Sequence, residues 1–333
     1  MDNSIAFPLL FGLVVLALAF DFLNGLHDAA NSIATVVSTR LLSPVAAVVF
    51  AASGNFAAYW LVGLHVAETV GKGIIDKDVV TPSVVFGALI GAMFWNVLTW
   101  LKGIPSSSSH ALIGGLLGAG IAHAGFSAVE SSGTIKTLVA IFLSPMIGFL
   151  IAMALMLVTA WLFKPLQPRK AEGIFKGFHL MSSAAYSISH GANDAQKTMG
   201  IIAVLLYSTG YLGGEFYVPN WVVISCYAAI SLGTLSGGWR IIKTMGTKLT
   251  KLNHHNGFCA STAGSLVVFG ASAMGIPVST THAITGSVVG VGAARRASAV
   301  RWSVASRVVM AWFITIPASA AVGAIFYLLT RLF

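Results

Sequence analysis

The feature that most constrains this chain is a succession of long apolar stretches, each of about 17 to 30 residues, the length at which a helix crosses a hydrocarbon core of about 30 Å. They fall near residues 5–39, 43–64, 84–101, 105–122 and 135–163, and again near 178–207, 219–237, 258–273, 277–294 and 303–330. In lipid every backbone N–H and C=O must be satisfied inside the protein, so such stretches are read as helices. A transmembrane barrel would show short segments of alternating polarity instead. Composition agrees: 56% of the residues are hydrophobic and 9% charged, against about 25% charged in soluble domains. The expectation is an all-α integral membrane protein with about ten membrane segments.

The net charge of +9 does not point to nucleic acid, because the basic residues sit in short clusters between apolar runs. Arg40, Lys102, the group from Lys164 to Lys176, the group from Arg240 to Lys251, and Arg295, Arg296 and Arg301 share one side if the spans alternate. The positive-inside rule makes that side the cytoplasm. Glu68, Asp76, Asp78, Glu130 and Glu215 then lie outside, with both termini. The run from Ile5 to Phe20 lacks a basic leader and a small-residue cleavage site, so it reads as a first span. Cys226 and Cys259 lack metal-ligand spacing and read as small buried hydrophobes.

The stretches form two sets of five, and an odd number per set gives the halves opposite orientations, the inverted-repeat design of many transporters. Two internal matches support this. Residues 25–31, GLHDAAN, align with 191–197, GANDAQK; residues 105–120, PSSSSHALIGGLLGAG, align with 277–292, PVSTTHAITGSVVGVG. We therefore expect a first inverted repeat over 1–163, a cytoplasmic connecting loop over 164–177, too short for a soluble domain, and a second inverted repeat over 178–333.

The repeated motifs carry the chemistry. A carboxylate within the membrane is costly unless paired or coordinated, so Asp28 and Asp194 are functional candidates. Each follows a glycine, and the polar residues around them suggest broken spans whose free carbonyls, with the Asp, make a hard-cation site. The Pro-led runs Ser106, Ser107, Ser108, Ser109 and Ser279, Thr280, Thr281 look like helix N-termini with Pro in the first turn, where hydroxyls and N–H groups converge on a tetrahedral anion. Singly, such residues are commonly caps or helix-packing hydrogen bonds; their joint duplication favours a site. Asn193 stands beside Asp194. Lys197 occupies the repeat position of Asn31 and supplies an ammonium that can replace a bound cation or pair with Asp194 or the anion. His27, His190, His110 and His282 flank the motifs, and imidazole titrates in the range that suits proton coupling.

At these residues the chain resembles the inorganic phosphate transporters of the low-affinity prokaryotic Pit type, whose hallmark is a duplicated Gly-Ala-Asn-Asp motif. The copy at Gly191, Ala192, Asn193 and Asp194 is intact, whereas Leu26 and His27 replace Ala and Asn in the first copy. The resemblance spans both halves. It implies an inverted-repeat fold in the inner membrane, symport of inorganic phosphate with H+ or Na+ and no cofactor. It also implies a homodimer and a PhoU-like accessory protein. Bacterial members of this kind are associated with proton-coupled uptake, often of a neutral complex of phosphate with a divalent metal. Lys197, where sodium-coupled relatives tend to carry Asn, fits protons better than a full set of sodium sites. Sulfate uptake, sodium coupling and an intramembrane Ser hydrolase are the alternatives; the hydrolase is disfavoured because catalysis needs one activated Ser and this chain duplicates every element.

Overall fold

The computed structural model describes residues 7–76 and 79–332; Ile5, Asp78 and both chain ends lie outside the described residues. The first half contributes α1 (Phe7–Ser38), α2 (Pro44–Leu61), the short α3 (His65–Gly73), α4 (Pro82–Lys102), α5 (Ser108–Ala124) and α6 (Ser131–Leu162). The second contributes α7 (Pro168–Ser208), α8 (Asn220–Ser236), the short α9 (Trp239–Lys243), α10 (His254–Ala273), α11 (Thr280–Arg295) and α12 (Trp302–Leu329). Boundaries follow local chemistry. Ser43 and Thr81 cap α2 and α4 with Pro in the first turn, and Asn253 caps α10.

By length and hydropathy, six helices among the described residues can cross a membrane, or seven if α8 and the bent segment after it, 62° apart, count as one span. The ten apolar stretches all fall on helices, but not all are full spans. α11 has 16 residues, about 24 Å at 1.5 Å per residue, short of the hydrocarbon thickness, and α5, with 17, reaches a spanning length only with the 3-10 turn that continues it to Ala128. Each forms a hairpin with the helix before it.

Two expectations are corrected. The Asp-bearing spans are not broken: α1 runs unbroken from Phe7 to Ser38 and α7 from Pro168 to Ser208. The polar motif side chains Asn24, His27, Asp28 and Asn31 of α1 and His190, Asn193, Asp194 and Lys197 of α7 find partners on other elements, so the backbone has no reason to open there. The motif glycines serve close approach and do not loosen the helix; a Cβ on Gly191 would stand 2.5 Å from the Asn55 carbonyl oxygen of α2, and Gly25 meets Ile230 of α8 in the same way. The chain breaks instead before the Ser/Thr motifs, at 103–107 and 274–279. The second correction concerns 164–177, which is non-helical only as far as Gln167. Pro168 starts α7, and Glu172 and Lys176 pair one turn apart at 3.3 Å on its exposed first turns.

The two halves are interlocked. α12 packs against α4 and α5 of the first half, while α6 packs against α10 and α11 of the second. α6 and α11 approach so closely that a Cβ on Gly290 would lie 2.5 Å from the Phe149 carbonyl oxygen. In lipid, where association relies on packing of small residues, such contacts hold helices together.

Candidate functional site

The tips of the α4–α5 and α10–α11 hairpins meet beside the middle of α1 and α7. Pro105 and Pro277 lie two residues ahead of the caps and outside the first turn where they were expected. Ser107 accepts the N–H of His110 at 3.2 Å and Ser279 that of His282 at 3.1 Å, so both are N-caps. The positive ends of two helix dipoles therefore face one buried point, a setting for negative charge.

Two carboxylates come from below. Ser108 Oγ lies 2.7 Å from Asp28 Oδ2 and 2.6 Å from Asn24 Oδ1, one proton between two acceptors. On the other side Thr280 donates to Asp194 Oδ2 at 2.9 Å. Each half also reaches across. Asn31 donates to Thr281 at 2.9 Å, which donates to Asp28 Oδ1 at 3.2 Å. In the matching position the Lys197 ammonium donates to Ser109, to Asp194 Oδ1 and to the Val278 carbonyl. The contact pattern of one half thus recurs in the other, with an amide on one side and an ammonium on the other.

The histidines divide into two groups. His27 contacts Asp28 Oδ1 at 2.8 Å and Thr99 at 3.1 Å; His190 lies between Asn55 at 3.0 Å and Asp194 Oδ2 at 3.1 Å. One ligand atom each from Asp28, His190 and Asp194 falls within 4.8 Å of the others, close enough to hold a metal ion. His110 and His282 stand apart from the carboxylates, with rings edge to face at 4.3 Å and His282 stacked on Trp312. Asn193 donates to Ser272 at 2.9 Å, and among the described residues its carbonyl oxygen and that of Asn31 have no hydrogen-bond partner.

Ser106 makes contacts unlike those of Ser107, Ser108 and Ser109. It donates to Thr99 at 2.8 Å and lies 3.4 Å from His27, giving the order Ser106, His27, Asp28 of a hydrolase triad. The proton of Ser106 is directed to Thr99, and Val278 holds its position in the other half. The hydrogen bond to Thr99 thus points the Ser106 proton away from His27, unlike the Ser-to-His bond of a triad.

Sequence reasoning passed over Asn24, Asn55, Thr99 and Tyr186, whose hydroxyl donates to the Thr280 carbonyl at 2.9 Å. Asn24 could have been found, since it is one helical turn before Asp28 and occupies the repeat position of His190.

Asp28, Asp194 and Lys197 are at most 2% exposed, so the site is occluded. Two carboxylates and one ammonium leave it one positive charge short. A cleft of about 380 Å³, lined by Glu68, Thr69, Glu130 and Lys136, reaches Pro277 at the α10–α11 tip. A cavity of only about 50 Å³ touches His27 from the α4 side.

Residues 24–323 match the phosphate transporter family. A protein of Rhizobium meliloti named as a probable low-affinity inorganic phosphate transporter is 61% identical over 98% of both chains. A Bacillus subtilis protein of the same description is 44% identical over 96% of both. A solved structure described as the sodium-dependent phosphate transporter superposes with a TM-score of 0.86 at 27% identity, covering 98% of this chain and 99% of the other.

Proposed function

Because the chain belongs to the phosphate transporter family, we propose that it imports inorganic phosphate across a prokaryotic inner membrane by cation symport, with protons as the driving ion. It is a transporter and not an enzyme. The observation that carries the reading is the convergence of two helix N-termini on Asp28, Asp194 and Lys197. Phosphate takes N–H groups and hydroxyls from Ser107, Ser108 and Ser109 on one tip and Ser279, Thr280 and Thr281 on the other, with Asn193 and Lys197 at its edge. Such a site holds a tetrahedral anion without an Arg clamp, which suits release.

The charge tally supports symport. A pocket already one positive charge short gains more negative charge with phosphate, so the anion travels with a cation. His27 and His190 touch the carboxylates and are the imidazoles placed to relay protons there, whereas His110 and His282 pack on each other and on Trp312, away from Asp28 and Asp194. A carboxylate beside the anion also favours monohydrogen phosphate, which donates a hydrogen bond, over sulfate, which has none to give. Sodium is the second reading. The open carbonyl oxygen of Asn31 near Asp28 favours it, as does the sodium dependence of the structural relative. A divalent metal carried with phosphate would meet Asp28, His190 and Asp194.

Two inverted repeats, 1–163 and 178–333, with both termini outside the cytoplasm, complete the reading, and the recurring contacts support it. Rocking of one hairpin against the other gives alternating access. Assembly as a homodimer, with a PhoU-like partner, rests on the family resemblance.

Uptake of labelled phosphate into proteoliposomes tests the proposal. An inward pH gradient without sodium drives accumulation, and Asp28→Asn and Asp194→Asn each lower it about tenfold or more, roughly 1.4 kcal/mol of lost interaction. Full uptake by both variants removes the Asp motifs from the mechanism. Strong competition by equimolar sulfate makes the chain a sulfate permease, and accumulation under a sodium gradient alone moves the coupling to sodium.

A further inference from the structure

Among the described residues, Asp21 is the buried carboxylate that the phosphate site leaves unused. It is 0% exposed on α1, seven residues before Asp28 and roughly 10 Å from it along the helix axis. Asp21, Asn24, Asp28 and Asn31 follow helical spacing, so they form one polar stripe that runs from Asp21 into the site.

Its surroundings are unlike those of the other two carboxylates. Neither oxygen of Asp21 has a hydrogen-bond partner among the described residues, and neither do the hydroxyls of Thr198 and Tyr227. Thr198 of α7 and Asn24 lie beside the carboxyl group, and Cys226 and Tyr227 of α8 close the other side. No Lys, Arg or His forms an ion pair with it among the described residues. The charged groups that face it from α7 are Asp194 and Lys197, both held by each other and by the hairpin tips. From α2 the titratable group is Tyr59, whose ring meets Tyr227 edge-on; α4 has Lys102 at its far end, and α5 has His110 beyond Ser108. α9 to α11 meet α1 from Leu26 onward.

An ionised carboxylate so placed has no cation paired with it and only neutral groups, the hydroxyls of Thr198 and Tyr227, the Cys226 thiol and the Asn24 amide, to replace its hydration, which is unfavourable in a membrane interior. A carboxylic acid in the same place has an O–H to donate, and the hydroxyls of Thr198 and Tyr227 are free to accept. We infer that Asp21 is the proton-carrying group of the transport cycle, outside the phosphate pocket and linked to it through Asn24 and Ser108. Ser108 is shared by Asn24 and Asp28, so a change at Asp21 that moves Asn24 alters the hydrogen bond that Asp28 receives. A proton from the outer side converts the carboxylate to the acid, the loaded protein reorients, and the proton leaves to the cytoplasmic side, restoring the carboxylate.

The inference rests on the phosphate-symport reading, and one pair of assays separates the two. Wild type, Asp21→Asn and Asp21→Glu are reconstituted and measured for pH-gradient-driven accumulation and for exchange of labelled phosphate at equal internal and external concentration. Exchange needs no net proton movement. The expected result is that Asp21→Asn loses accumulation at least tenfold yet keeps exchange within about twofold, without the pH dependence of wild type, while Asp21→Glu keeps both. The infrared carbonyl band of a buried carboxylic acid, present in wild type at neutral pH, disappears in Asp21→Asn. If Asp21→Asn still accumulates phosphate, the inference fails and the coupling proton belongs to the pocket histidines. Loss of exchange along with accumulation in a variant that melts like wild type makes Asp21 a substrate or packing residue, and stabilisation of wild type by sodium that Asp21→Asn lacks makes it a sodium ligand; either overturns the inference. Absence of both exchange and accumulation in wild type overturns the phosphate reading itself.

Discussion

Replacing Lys197 by Met keeps the length of the side chain and removes the ammonium that satisfies Asp194, Ser109 and the Val278 carbonyl together. Asp194 is then left as a buried charge with only Thr280 and His190 around it. Breaking a buried pair by removing one partner costs about 3–5 kcal/mol. At roughly 2 °C of Tm per kcal/mol for a large chain, that is a fall of about 6–10 °C. Lys197→Asn separates charge from packing, because it copies the residue at the matching position, Asn31. A vacated ammonium site lined by a carboxylate, a hydroxyl and a carbonyl suits a monovalent cation, so sodium at a hundred times its Kd returns about 2.7 kcal/mol to Lys197→Asn. The assay is fluorescence-monitored thermal unfolding in detergent, with and without sodium, alongside phosphate uptake. If Lys197→Met melts within about 1 °C of wild type, or sodium stabilises Lys197→Asn no more than wild type, Lys197 does not stand in for a cation.

Thr281→Val removes the hydroxyl that carries the Asn31 contact to Asp28; hydrogen bonds to a charged group contribute about 1.5–3 kcal/mol, so initial uptake rates fall about tenfold to a hundredfold while the Lys197 side stays intact. Gly191→Ala forces a methyl group against the Asn55 carbonyl at 2.5 Å, and overpacking of about 1–3 kcal/mol appears as a lower melting temperature even in the absence of substrate.

The apolar stretches were legible because a bilayer leaves the backbone few options, and their positions match the helices to within a few residues, apart from the N-terminal start of α7. The Ser/Thr motifs were legible as helix starts, and the 16-residue repeat carried over to matched contacts around Asp28 and Asp194. The continuity of α1 and α7 was not legible: a polar run in an apolar span reads as a break, and only the partners on other helices, such as Asn55 for His190 and Ser272 for Asn193, reveal why it holds. Ser106 reads as one more member of a serine run, whereas its hydrogen bond to Thr99 depends on how α4 turns into α5. The packing of α6 on the second half was hidden for a similar reason. Its sequence is apolar on every side, with no stripe to say which neighbour it prefers.

The exchange of α6 and α12 between halves sets a schedule for synthesis. α6 is complete at Leu162, but its partner helix α11 begins at Thr280, roughly 6 to 24 s later at translation rates of about 5–20 residues per second. During that interval α6 stands in lipid without its final neighbours. An apolar helix can wait there without the penalty that water would impose, since acyl chains solvate it about as well as a protein surface does. A fragment released after residue 163 should therefore insert stably in the bilayer yet show α6 accessible to lipid-phase labels, with the protection appearing only in chains that extend through α11.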